Sequence, residues 1–264
     1  MFFHQPHNTI GKNVFNACVY RSIFYDTHIH KGYELTYVLE GTLHAKVDDT
    51  EYQLTSGEAL MVFPYQLHAY QADKNCLCLI VVFSESFITT FVNITKDKKS
   101  LSAKVLPCVE TQSFIKKTFL TQLDYPDKVS LKKPDELALK ACLYAFCNDF
   151  LCQNELVPSP GKLSLVTELI LYVEKNFKTN ITLRSMAKDL GYCHEHLSRV
   201  FNKTFHVNFK AFVNQYRLEF ASHLIKTTKK TFLEIALESG FQSVRSFNRA
   251  FLTFANVSPS SLRK

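Results

Sequence analysis

The chain has 264 residues and a formal net charge of +7, and its 46% hydrophobic and 13% aromatic residues can fill the cores of two compact domains. This composition excludes a disordered chain. The longest apolar run, residues 76–83, is far shorter than the roughly 20 residues that a membrane helix needs, so we expect no membrane span and no membrane partner. The first ten residues lack the pattern of a signal peptide, and we expect a cytoplasmic protein.

The charge is distributed unevenly along the chain. Residues 1–161 hold 15 Lys and Arg against 17 Asp and Glu, whereas residues 162–264 hold 16 against 7, a net charge of +9. A basic excess confined to one end, in a segment with helical patterning, indicates a polyanionic partner for that end alone. The eight cysteines form no CxxC pairs, and we expect them to be reduced and mostly buried.

The first predicted elements are short strands. Between Tyr20 and Phe83 the sequence alternates strand-like runs such as "ELTYVLEG" and "CLCLIVVF" with turn residues, and Asp48-Asp49 is a plausible hairpin tip. Strands at this spacing close most naturally into a small antiparallel barrel or jelly roll. We therefore predict a β-barrel domain over residues 1–109.

A helical segment and a linker are expected next. The stretches "SFIKKTFLTQL" and "DELALKACLYAFCNDFL" repeat apolar residues at steps of three and four, as amphipathic helices do, and Asp135 is placed to start the second helix. We predict a helical dimerisation segment over residues 110–153. The prolines and the glycine of "NELVPSPGK" then predict a linker over residues 154–163.

The remainder, residues 164–264, contains an internal repeat. "TLRSMAKDLGY" aligns with "TFLEIALESGF" at an offset of 49, which matches Ala187 with Ala236 and Gly191 with Gly240. Each copy has the pattern of a helix-turn-helix, over about 182–203 and about 231–254. The small alanine allows close helix packing, and the glycine permits the left-handed conformation that ends a helix. In the second copy, Thr231 and Glu234 predict a capping box, and a long helix is expected between the copies.

These residues resemble the DNA-binding domain of the AraC/XylS family of bacterial transcription regulators. The resemblance is carried by "LGYCHEHLSRVFNKTF", "YRLEFASHLI" and "IALESGFQSVRSFNRAFLTFANVSPSSLRK". The sequence differs from the residues usual in this family at Asn256, Leu262 and Cys193. These positions affect turns and caps rather than the scaffold. The resemblance implies an all-α domain whose two helix-turn-helix motifs enter successive major grooves of double-stranded DNA, about 34 Å apart.

The second helix of each motif carries the candidate DNA contacts. By position in the family motif, the expected base contacts are Glu195, Ser198, Arg199, Val244, Arg245 and Arg249, with His194 and Asn248 as further candidates. Arginine can bind guanine through two hydrogen bonds and asparagine can do the same with adenine. The expected phosphate contacts are Lys203, Lys210, Lys229 and Lys230. The alternative for each of these residues is a solvated surface position without a DNA role.

The barrel carries a second resemblance, to the cupin motifs. His28, His30 and Glu34 resemble the first motif, and the segment "GEALMVFPYQLH", which ends at His68, resembles a degenerate second one. Alternate strand residues share a face, so closure of the barrel would bring these four side chains together. Such a set suits zinc, iron or manganese. The alternatives left open are a metal-free pocket for a small-molecule effector, flanked by Tyr37 and Tyr70, and a polar network with a structural purpose only.

The sequence therefore predicts a multi-domain protein: a cupin-like β-barrel with a helical dimerisation segment, followed by the all-α DNA-binding domain. We interpret it as a ligand-responsive, sequence-specific transcription regulator and not as an enzyme. The resemblance further implies a homodimer, activation rather than repression, and contact with RNA polymerase. The alternative hypothesis is a metal-dependent cupin enzyme with a DNA-binding tail.

Overall fold

The computed structural model describes residues 3–4, 14–120, 128–159, 164–255 and 258–263. The chain divides into two compact units, Phe3–Lys162 and Leu163–Lys264. The first unit is rich in β-structure and the second is helical, which confirms the predicted fold class. Among the helices in the described part of the chain, none combines the length and the apolar composition needed to cross a bilayer.

The first unit contains thirteen strands in its described residues. In chain order they are β1 (Phe3–His4), β2 (Phe15–Arg21), β3 (Phe24–Ile29), β4 (Tyr33–Glu40), β5 (Thr42–Val47), β6 (Thr50–Thr55), β7 (Ala59–Val62), β8 (His68–Ala72), β9 (Leu77–Phe83), β10 (Lys98–Ser100), β11 (Lys104–Val105), β12 (Lys128–Ser130) and β13 (Leu156–Pro158). One sheet has the order β1-β3-β8-β5-β6 and the other β11-β7-β4-β9-β2-β12, while β10 and β13 form a separate pair. Side chains from both large sheets share one apolar cluster, so the sheets pack face to face.

The central strand β4 is buried on both faces, and its alternation positions the polar cluster described below. Leu35 and Tyr37 point to a cluster shared with the helices, whereas Val38 belongs to the cluster between the two sheets. Glu34 and Thr36 lie an even number of residues from Val38, so their side chains face the same side of the strand, and they are 2% and 0% exposed. The strand therefore carries a carboxylate and a hydroxyl into the space between the sheets.

The predicted hairpin tip at Asp48 joins β5 to β6 and also holds a neighbouring loop. Asp48 has a positive φ of 50°, a conformation that aspartate tolerates in turns. Its carboxylate accepts hydrogen bonds from the Leu67 amide (3.1 Å) and from the Gln66 side chain (3.0 Å). Because His68 begins the next strand, this surface turn fixes the backbone that leads to a buried histidine.

The described residues of the first unit form three α-helices: α1 (Thr89–Thr95), α2 (Val109–Phe119) and α3 (Glu136–Gln153). Their apolar side chains share a cluster with the larger sheet. As the sequence predicts, Asp135 caps α3, because its side chain accepts bonds from the amides of Leu137 and Ala138 at 3.0 and 3.4 Å.

Two short strands correct the expected organisation of residues 110–163. The segment predicted to be helical contains β12, which pairs with Cys18–Tyr20 of β2. The predicted linker contains β13, which pairs with β10, while residues 160–163 lie outside the described part of the chain. Both strands satisfy backbone groups that would otherwise stay unpaired, and neither is long enough to show a period of two in the sequence.

The second unit contains six α-helices in its described residues: α4 (Leu165–Asn176), α5 (Leu183–Leu190), α6 (His194–Phe205), α7 (Phe209–Thr227), α8 (Phe232–Glu238) and α9 (Val244–Ala255). The pairs α5–α6 and α8–α9 are the two predicted helix-turn-helix motifs. Gly191 and Gly240 both have positive φ, 74° and 87°. In each copy the alanine carbonyl, of Ala187 or Ala236, accepts a bond of 2.9 Å from the amide of the residue after the glycine. The two copies of the sequence repeat therefore have the same structure, including the conformation of the turn between their helices.

One long helix connects the two motifs. The sequence predicts a helix over 209–225, and α7 extends over 19 residues, or about 28 Å at 1.5 Å per residue. From its middle, the Arg217 guanidinium donates to the carbonyls of Phe177 (2.7 Å) and Thr179 (2.9 Å), just beyond the end of α4. These bonds join α7 to the turn that follows α4.

Candidate functional sites

Four polar side chains of the first unit meet between the two sheets. His28 lies on β3, His30 follows that strand, Glu34 lies on β4 and His68 begins β8, and each is 1–2% exposed. The possible ligand atoms of the four residues all lie within 4.8 Å of one another. His28 is the register partner of His68 on adjacent strands, and their ring centroids are 4.0 Å apart. The structure thus brings together the four residues that the sequence analysis groups as candidate metal ligands.

The three imidazoles are oriented in the same way by the backbone. Each Nδ1 lies 2.9–3.0 Å from a carbonyl oxygen two residues away in the chain: Asp26 for His28, Gly32 for His30 and Gln66 for His68. A carbonyl oxygen can only accept, so Nδ1 carries the proton in each ring. In a neutral imidazole the other nitrogen, Nε2, then has a free lone pair, and it is the atom available to a ligand.

Glu34 presents its two carboxylate oxygens to different partners. Oε2 lies 3.1 Å from Nε2 of His30 and 3.7 Å from Nε2 of His68. Oε1 accepts hydrogen bonds from the hydroxyls of Thr36 (3.0 Å) and Tyr70 (2.5 Å). Hydrogen bonds to one oxygen fix the orientation of the whole carboxylate, so Oε2 is held toward the histidines.

Burial sets the protonation of the cluster. Desolvation, with a contribution from the neighbouring His68, lowers the pKa of His28 to about 3, and desolvation also lowers the pKa of His30. Burial alone would raise the pKa of Glu34, but the nearby His68 and His30 outweigh it and hold that pKa well below its usual range. Burial thus favours the uncharged form of His28 and His30, whereas the imidazole neighbours of Glu34 favour its ionised form.

Tyr37, predicted as a pocket residue, does not belong to this cluster. It lies three residues after Glu34 on the same strand and therefore points to the opposite face. There it is 1% exposed among apolar side chains, and its hydroxyl donates to Gln112 of α2 at 3.3 Å. Tyr70 does contact the cluster, through Glu34. Thr36, which the sequence analysis omits, also contacts it, and its position two residues after Glu34 is the signal that would have identified it.

The helices α6 and α9 each bury one face and expose another. On α6, Leu197 and Phe201 are fully buried, whereas Glu195 and Arg199 are exposed. On α9, Phe247 and Phe251 are buried, and the predicted DNA contacts Arg245, Asn248 and Arg249 are exposed. The remaining predicted base-reading residues are half-buried: His194, Ser198 and Val244.

The first turn of each motif is stabilised in an analogous manner. The capping box predicted at Thr231 and Glu234 is present, and a second one joins Thr182 to Ser185. The second was not predicted, because the third residue of the helix, Ser185, is a serine rather than the usual glutamate or glutamine.

The four predicted phosphate contacts, Lys203, Lys210, Lys229 and Lys230, are all exposed. Lys230 differs from the others because its ammonium lies 2.5 Å from a carboxylate oxygen of Glu238 in α8. A phosphate would have to compete with this ion pair. Lys203, in the last turn of α6, is therefore the clearer test of a phosphate contact.

Both units are similar to known protein families. The family model described as an AraC-like ligand binding domain matches residues 15–145, and a helix-turn-helix domain model matches residues 186–264. The uncharacterized HTH-type transcriptional regulator YfiF of Bacillus subtilis (strain 168) is 25% identical over 245 residues, which are 89% of this chain and 78% of that protein. An uncharacterized HTH-type transcriptional regulator of Staphylococcus aureus (strain MSSA476) is 22% identical over 88% of this chain, which spans only 31% of that relative.

Solved structures include similar chains. ToxT from Vibrio cholerae covers 95% of this chain and 97% of its own, with a TM-score of 0.47 and 15% identity. The C-terminal domain of the two-component response regulator yesN from Fusobacterium nucleatum is 30% identical over 38% of this chain and 100% of its own, with a TM-score of 0.36.

A ligand-binding β unit followed by a paired helix-turn-helix unit defines a class of DNA-binding transcription regulators. Within that class, the chain belongs to the AraC/XylS family.

Proposed function

We propose that this protein binds specific DNA sequences by placing α6 and α9 in two successive major grooves. The observation that carries this proposal is the repeat itself: two motifs with equivalent turns each expose the polar face of their second helix. Because α7 is one uninterrupted helix, it can hold the two motifs at a fixed spacing on one face of the duplex.

We infer that the side chains of this unit make two kinds of DNA contact, to bases and to phosphates. The proposed base contacts are Glu195, Ser198, Arg199, Val244, Arg245 and Arg249, with His194 and Asn248 at the edge of the same faces. The proposed phosphate contacts are Lys203, Lys210, Lys229 and Lys230, which set affinity and its salt dependence without selecting sequence.

The β unit acts in this proposal as the sensor. A ligand bound between its sheets shifts the protein toward the arrangement of units for which it has higher affinity, and DNA occupancy follows. We further propose a cytoplasmic homodimer that activates transcription through contact with RNA polymerase. Exposed apolar side chains on the helical segment support the dimer, since Val109 is 76% and Leu137 is 79% exposed.

An enzymatic role is the less supported alternative. A metal-dependent cupin enzyme needs a substrate beside its histidine cluster, but the side chains of His30, Glu34 and His68 are 0–3% exposed. The relatives that the chain matches are named transcriptional regulators. We propose that the protein controls DNA occupancy and catalyses no reaction.

Footprinting on DNA upstream of its own gene and of neighbouring genes tests the proposal. We expect protection of paired segments about one helical turn apart, resistant to bulk competitor DNA. Equal competition by bulk DNA at every position would overturn it. In matched variants, Arg245→Ala should lose about 1–3 kcal/mol of discrimination at one base pair, whereas Lys203→Ala should weaken all sequences alike and flatten the salt dependence. Identical effects of the two variants would refute the proposed division between base and phosphate contacts.

A further inference from the structure

The histidine cluster has too few protons for the contacts it makes. His30 faces a carbonyl oxygen through Nδ1 at 3.0 Å and a carboxylate oxygen through Nε2 at 3.1 Å, and both of these oxygens are acceptors. A neutral imidazole has only one N–H, so it can satisfy one of them. The imidazolium that would satisfy both places a full charge on a side chain with no exposed surface, which costs free energy.

His68 shows the same shortage more directly. Its Nδ1 bonds the Gln66 carbonyl, and its buried Nε2 has no hydrogen-bond partner although it lies 3.7 Å from Oε2 of Glu34. An unpaired polar atom in a closed interior costs free energy unless a group that is bound there satisfies it. The lone pair of this nitrogen and Oε2 of Glu34 are both acceptors, so the missing group is either a donor of hydrogen bonds to both or a cation.

The four donor atoms have the spacing of a metal coordination sphere. Bonds of about 2.0–2.1 Å from zinc to nitrogen or oxygen place the ligand atoms of a tetrahedron about 3.3 Å apart. The separations from Oε2 of Glu34 to Nε2 of His30 and of His68 are 3.1 and 3.7 Å, and the widest pair of ligand atoms in the cluster is within 4.8 Å. The widest pair would have to contract by about 1.5 Å at most, a movement that rotation of an imidazole or carboxylate supplies.

Neighbouring groups fix each ligand in the way that metal sites require. The three backbone carbonyls hold the protons on Nδ1, and the hydroxyls of Thr36 and Tyr70 occupy Oε1 of Glu34. One ligand atom per residue is thereby left for the ion: Nε2 of each histidine and Oε2 of Glu34. Four ligands complete a tetrahedron, and a closed four-ligand site holds an ion without leaving a position for substrate.

We propose that His28, His30, Glu34 and His68 bind one divalent transition-metal ion of the zinc type, and that this ion is the effector of the protein. The effector role rests on the DNA-binding function proposed above. Three imidazole nitrogens and one carboxylate oxygen favour Zn²⁺ and its first-row neighbours over Mg²⁺ or Ca²⁺, which prefer oxygen ligands.

The strands show how an ion could act beyond its own site. His28 and His68 belong to one sheet and Glu34 to the other, so the ion ties the two sheets together. The opposite face of β4 packs on the helices, where Tyr37 bonds Gln112 of α2. A ligand that fixes Glu34 therefore fixes the strand against which the helical segment rests.

Metal stoichiometry tests the site. The full chain is stripped with a chelator, dialysed and titrated with ZnCl₂ by calorimetry, and Co²⁺ is added separately to read the visible absorption of four-coordinate cobalt. We expect one ion per chain and the tetrahedral cobalt spectrum. His68→Gln should weaken Zn²⁺ binding at least 100-fold, whereas His44→Gln should leave it unchanged, because His44 lies half exposed on β5 of the same sheet. Binding of less than one ion per chain by the wild-type protein overturns the site, whatever the variants do.

The effector role has its own measurement. DNA affinity is compared for stripped and Zn²⁺-loaded protein on the fragment found by footprinting, with Mg²⁺ as the control ion. A change of tenfold or more that is lost in His68→Gln and kept in His44→Gln supports the proposal. One bound ion without a change in DNA affinity refutes the effector role. Absence of specific DNA binding in both states refutes the proposed function instead, while the stoichiometry still decides the site.

Discussion

Replacing Gly240 with alanine should destabilise the second helix-turn-helix far more than the equivalent change at Gly191 destabilises the first. Both glycines have positive φ, so each alanine incurs about 1–2 kcal/mol from the left-handed conformation, partly offset by a less flexible unfolded chain. The surroundings differ. A Cβ at Gly191 meets nothing within 4 Å, whereas one at Gly240 would lie 2.7–2.9 Å from backbone atoms of Lys178.

The difference between the two variants follows from this contact. Backbone cannot turn away as a flexible side chain can, so Lys178 and the second motif must separate, at a further cost of about 1–3 kcal/mol. We expect a loss of about 1 kcal/mol for Gly191→Ala and about 2–4 kcal/mol for Gly240→Ala. Hydrogen exchange of amides in α9 and in α6, measured on the full chain, gives the local opening free energies. Equal losses in the two motifs would refute the argument from steric contact.

Three further predictions concern caps and the histidine cluster. Thr231→Ala should lower the stability of the second motif by about 1 kcal/mol in urea unfolding, because the amide of Glu234 loses its acceptor, and Thr231→Ser should retain it. Asp135→Ala should cost about 1 kcal/mol and increase hydrogen exchange at the start of α3, while Asp135→Asn should cost less. Tyr70→Phe, which removes one of the two hydrogen bonds to Oε1 of Glu34, should reduce Zn²⁺ affinity about 10–100-fold in calorimetric titration without changing the stoichiometry.

The paired motifs were predictable because local sequence determines their geometry. The glycine that adopts the left-handed conformation, and the small alanine whose carbonyl bonds the amide five residues later, can both be read from the sequence. Their recurrence at an offset of 49 identifies the two helix-turn-helix motifs. The helices α2 and α3 were predictable for the same reason, since their period and the Asp135 cap are local signals, whereas α1 lies in the segment predicted as β-barrel.

The arrangement around the histidines was only partly predictable. Strand alternation correctly groups His28, His30, Glu34 and His68, but the same rule excludes Tyr37, an odd number of residues from Glu34. The shortage of protons depends on which carbonyl each Nδ1 meets, and that depends on the loop backbone rather than on residue identity. The strands β12 and β13 likewise form by pairing with β2 and β10, which are distant in the sequence, and no local pattern predicts these pairings.

In the proposed mode of DNA binding, the single helix α7 also restricts the DNA that the protein can recognise. One residue inserted into its 19-residue length would advance the second motif by about 1.5 Å and rotate it by about 100° relative to the first. In this mode of binding, the length of α7 sets the distance between the two DNA elements. Promoters under common control can differ in base sequence, but a single base pair added between their two elements should abolish simultaneous recognition.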